Sequence, residues 1–68
     1  MNNNQGNEIT YILIKNSAKE IIFYKKEGKN FAEVPKGTRI TAADGGWVLE
    51  TPDGKSASLD ARPIILIQ

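Results

Sequence analysis

Apolar residues recur along this chain in short runs separated by Gly-, Pro-, Asn- and Asp-bearing turns, and within most runs apolar and polar side chains alternate with a period of two. The pattern is clearest over residues 34–60, where Gly37, Gly45-Gly46 and Gly54 punctuate short apolar segments at nearly regular spacing. It predicts a meander of antiparallel strands at residues 38–42, 47–50 and 56–59. Thr38, Ile40 and Ala42 share one face of the first, and Trp47 and Leu49 share a face with Ala57 and Leu59 across the next hairpin. That hairpin turns at Thr51-Pro52-Asp53-Gly54-Lys55: proline presets φ, Asp53 bonds back onto the backbone, and Gly54 takes a left-handed conformation.

Two runs do not alternate. Residues 9–14 and 64–67 are apolar on both faces of a strand, the mark of a strand covered on both sides or packed at an interface. Asn16 and Ser17 then supply turn chemistry, and residues 20–25 read as a second strand, close enough to the first to form a hairpin with it. Residues 31–34 form a short extended piece. Pro63, which has no amide hydrogen, is expected to interrupt the ladder before the last strand. The helix reading is weak even in the most tolerant window, 17–29, which is β-branched and aromatic at its centre and broken by Gly28. The prediction is an all-β protein, a small antiparallel barrel of five or six strands, since closure removes exposed edges. Residues 1–7 are expected to be a polar, disordered lead-in and 8–68 the single barrel domain.

The order of motifs in residues 35–67, Lys36-Gly37-Thr38-Arg39-Ile40, then Gly46-Trp47-Val48, then Asp53-Gly54-Lys55, then a proline before a final aliphatic strand, resembles the Src-homology-3-like small barrel, especially its bacterial type. The resemblance implies that barrel fold and a peptide-binding groove. Of the groove's aromatic lining only Trp47 matches, and Lys25-Lys26-Glu27-Gly28-Lys29 stands where an acidic loop meets the arginine of a proline-rich ligand. The resemblance therefore implies the frame without that ligand.

Composition narrows the function classes. The chain has 68 residues and neither Cys nor His, so it has no disulfide, no thiolate metal site and no imidazole base. Ser17, Ser56 and Ser58 lack an activating partner, and Asp44, Asp53 and Asp60 fall at turns and strand ends, where backbone chemistry explains them. Hence no enzyme, cofactor or metal is expected. Neither a secretory leader nor a membrane-length apolar run is seen, and the expected location is the cytoplasm.

Net charge is only +1, yet five lysines lie between residues 15 and 29. The first reading is a non-enzymatic binding module or small regulatory or inhibitory subunit. It docks on a larger protein, or on a second copy as a homodimer, through the aliphatic strands and the Trp47 surface; Trp47, Tyr24, Phe31, Ile12 and Ile65 are the candidate contacts. The second is a small nucleic-acid-binding protein, with Lys25, Lys26 and Lys29 meeting phosphates while Tyr24 and Phe31 stack on bases.

Overall fold

A computed structural model describes residues 8–67, and the lead-in expected at residues 1–7 lies outside the described residues. Seven strands follow one another: β1 (Ile9–Lys15), β2 (Ile22–Lys26), β3 (Lys29–Pro35), β4 (Arg39–Ala43), β5 (Gly46–Glu50), β6 (Ser56–Leu59) and β7 (Arg62–Ile67). They form two sheets, one of four strands ordered β2-β3-β1-β7 and one of three ordered β4-β5-β6. The protein is all-β, as its alternation predicts, but the closed antiparallel barrel is not formed.

The departure lies in β1. The expected hairpin between the first two runs is absent, and β1 pairs in parallel with β3 on one side and β7 on the other. Two local preferences explain this. Glu27 and Gly28 both adopt positive φ, 51° and 78°, the signature of a type I′ turn whose twist matches paired strands, so β2 folds back onto β3. The longer segment 16–21 imposes no such turn and carries the chain across to β2. A strand apolar on both faces suits the middle of a partly parallel sheet, and β1 occupies that place.

The three-stranded sheet matches its prediction closely. Trp47 pairs with Leu59 and Leu49 with Ala57, and Gly54 holds a φ of 96° at the tip. Thr51 organises that turn from a buried position: its hydroxyl accepts from the Lys55 amide at 3.0 Å and lies within hydrogen-bond reach of the Asp53 carboxylate and the Lys55 carbonyl.

This sheet covers one face of the other. Ile12, Ala32 and Val34 from the four-stranded sheet meet Leu49 and Leu59 in the core, and Ile14, Ile21, Ile40 and Trp47 pack around them. Ile12, Val34 and Leu49 are its largest fully buried side chains.

Pro63 sits inside β7 instead of interrupting it. The Arg62 amide donates to the Glu8 carbonyl, which fixes the phase of a parallel pair: Arg62, Ile64 and Leu66 turn their backbone groups toward β1, whereas Pro63, Ile65 and Ile67 turn theirs away. The proline thus occupies a position whose missing N–H costs the ladder nothing.

Candidate functional site

Because side chains alternate across a strand, the core face of the four-stranded sheet implies a second, outer set. The register places Tyr24, Phe31, Tyr11 and Ile64 side by side in one row across β2, β3, β1 and β7. The next row holds Ile22, Glu33, Leu13 and Leu66. Ile22, Ile64 and Leu66 are exposed and the three aromatics half-buried. Leu13, between Glu33 and Leu66 in that row, is buried, and the core shared with the second sheet lies on the opposite face, with Ile12, Ala32 and Val34.

The aromatic rings are stacked on one another. Phe31 lies between Tyr11, at 5.2 Å between centroids and 27° between planes, and Tyr24, at 5.4 Å and 11°. These spacings follow the strand separation of about 4.8 Å, so the sheet itself sets the stack. Both faces of Phe31 and one face of each tyrosine are spent on neighbours, and the Lys29 ammonium sits over the Tyr11 ring at 5.8 Å. What this surface offers outward is ring edges, hydroxyls and aliphatic side chains.

Its charge is one-sided. Lys15, Lys26, Lys29 and Arg62 belong to the outer face by register, with Glu33 the acid among its strand residues. Lys15 and Glu33 neutralise each other at 3.1 Å. Among the described residues no ion pair engages Lys26, Lys29 or Arg62.

The sequence-derived candidates therefore separate. Tyr24, Phe31, Lys26 and Lys29 come together on the outer face. Lys25 alternates to the opposite face, where it lines an open groove of about 490 Å³ with Phe23, Thr10, Asn30, Leu59 and Asp60, so the lysines do not form one track. Ile12 is fully buried in the core and has no surface to offer a partner. Trp47 packs against the core from the other sheet and edges a shallow depression beside the Asp44-Gly45 turn, so it shares no surface with the aromatic row. Ile65 is half-exposed on the edge strand, on the inner side of the sheet. Sequence reasoning passed over Tyr11, Ile22, Ile64 and Leu66. The alternation of Tyr11 and Leu13 against Ile12 was the signal for the first.

Among the described residues no helix is long and apolar enough to cross a membrane, and no group of three His, Cys, Asp or Glu side chains is placed to hold a metal. Compared with protein-family models, curated proteins and solved structures, the chain matches none, so the family resemblance of residues 35–67 rests on their motifs alone.

Proposed function

We propose that this protein is a non-enzymatic docking module that binds an acidic, partly apolar surface of another protein through the outer face of its four-stranded sheet. The observation that carries this reading is the partly exposed row Tyr24, Phe31, Tyr11 and Ile64 on the face away from the core, flanked by Lys26, Lys29 and Arg62, which no ion pair engages among the described residues. Aromatic and aliphatic side chains supply contact area, and the cations select a complementary acidic rim and speed encounter. Two copies meeting face to face through this surface would bring these like charges into one interface, which favours a different partner there.

The aromatics together with Lys26 and Lys29 also support nucleic-acid binding, the second reading. It ranks lower because base stacking needs open ring faces, and both faces of Phe31 and one face of each tyrosine are occupied by one another. The test is crosslinking capture from the native host, with and without nuclease, comparing wild type with Ile22→Lys on the outer face and Lys25→Glu on the opposite one. A protein retained after nuclease and by Lys25→Glu, but lost with Ile22→Lys, supports the proposal. Capture that needs nucleic acid, or that Ile22→Lys leaves intact, refutes it.

A further inference from the structure

The two edges of the four-stranded sheet are built differently. β2 carries Lys25 and Lys26 along its exposed length, a charge pattern that discourages strand addition. β7 presents Pro63, Ile64, Ile65, Leu66 and Ile67 with no charge among them. Its aliphatic side chains are unusually open: Ile65 is 50% and Ile67 79% exposed, although both point to the side on which the second sheet packs. The three-stranded sheet does not reach far enough to cover them.

Among the described residues the outward backbone of β7 has no strand partner either. With Arg62, Ile64 and Leu66 turned toward β1, the outward groups are the Pro63 carbonyl and the amides and carbonyls of Ile65 and Ile67. We propose that β7 pairs antiparallel with β7 of a second copy, Ile65 opposite Ile65, to make one continuous eight-stranded sheet. In this register the two Ile65 residues exchange both of their hydrogen bonds, and each Ile67 amide donates to the Pro63 carbonyl of the other copy. Each proline's absent donor leaves one Ile67 carbonyl unpaired at either end, where water reaches it. Centring the pair on Ile65 keeps all of residues 63–67 within it.

Side chains fit the same arrangement. On the inner side the Ile65 residues meet each other, and Ile67 meets Pro63. On the outer side Ile64 meets Leu66, so each copy's apolar rows run on into those of the other. Electrostatics favours this mode over the face-to-face one. The two Arg62 residues lie at opposite ends of the seam, about 20 Å apart at strand rise, well beyond the screening length of about 8 Å at physiological salt. The operation is a closed two-fold, so association stops at the dimer and leaves the Tyr24, Phe31 and Tyr11 part of the outer face free.

Symmetry supplies the test, because a residue on the axis meets itself. Ile65→Lys and Ile65→Glu are each expected to dissociate the dimer about a hundredfold more readily through like charge on the axis, with far-ultraviolet circular dichroism unchanged. Mixing the two restores a dimer, read by sedimentation velocity and by native mass spectrometry as the mixed species. A monomeric wild type at tens of micromolar, or a dimer that Ile65→Lys leaves undiminished, overturns the proposal. So do two folded monomeric variants that fail to pair when mixed.

Discussion

Adding one methyl group at Gly46 tests how the three-stranded sheet is held together. A Cβ built there lies 2.2 Å from the Leu59 carbonyl oxygen and 3.1 Å from the Asp60 Cα. Both are backbone atoms, so no side chain can rotate away. The first distance is more than an ångström inside the optimum of roughly 3.5 Å for a non-bonded contact. Relief requires β5 and β6 to part at their Trp47–Leu59 pair, which holds one wall of the core. Overpacking of this kind costs about 1–3 kcal/mol or more, against a total stability of roughly 3–10 kcal/mol for a chain of this size.

Gly45 is the control. Gly46 itself has a φ of 158°, so both positions carry a positive-φ penalty of about 1 kcal/mol or more; at Gly45, with φ 78°, nothing lies within 4 Å of the added carbon, so Gly45→Ala carries that penalty alone. In urea and thermal melts Gly45→Ala should lower Tm by about 4–8 °C, whereas Gly46→Ala should lower it at least twice as far or abolish the transition. Equal shifts for the two variants would show that β5 and β6 are not in this close approach and would refute the reasoning.

Three further outcomes follow from other parts of the fold. The Thr51 hydroxyl hydrogen bond, opposed by partial desolvation and aided by the Lys55 amide and charge, holds the Asp53 carboxyl below its usual 3.8. A group depressed on folding contributes stability that is present above its unfolded value and is lost as pH falls through its folded one. Asp53→Asn should therefore destabilise at pH 7 and lose that effect in strong acid; a pH-independent difference in urea midpoint contradicts it. Glu27→Asn should raise Tm by a few degrees, because asparagine tolerates the positive φ of that turn position better than glutamate does; a lowered Tm argues against the type I′ turn. Phe31→Ala removes two ring contacts from the middle of the stack and should cost about 2 kcal/mol, with a changed tyrosine signal in near-ultraviolet circular dichroism; a silent substitution means the stack does not hold in solution.

The three-stranded sheet was legible in the sequence because everything that defines it is local. Gly45, Gly54 and the alternation of Trp47, Leu49, Ala57 and Leu59 specify neighbours only a few residues away. The four-stranded sheet was not, since β1 pairs with strands far along the chain, and no period-two pattern says which strand lies beside which. Apolarity on both faces of residues 9–14 marked β1 as central but did not choose among its partners. The candidate site was half visible for the same reason. Tyr24, Phe31, Lys26 and Lys29 stand close in sequence and remain together, whereas Tyr11 and Ile64 join them only through the parallel pairings, and alternation along β2 sends Lys25 to the other face.

The parallel pairing of β1 with β7 also governs how the chain reaches this structure. Ile9 and Arg62 become neighbours only after the intervening chain has been closed into a loop, an entropic cost met before the pairing returns any energy. The meander of β4, β5 and β6 needs only tight turns, so it is available early as a template on which Ile12, Ala32 and Val34 then condense. Such dependence on distant contacts places folding in the slow range for a small domain, about milliseconds to seconds. Truncations on the meander, such as Leu49→Ala, should chiefly slow folding, and those along the β1–β7 seam, such as Leu13→Ala, should chiefly speed unfolding. The reverse partition in stopped-flow chevrons would mean that the long-range sheet, and not the meander, forms the nucleus. Until β7 docks, the apolar strand β1 stands with one edge unpaired, and it is in that interval that the chain is most exposed to aggregation.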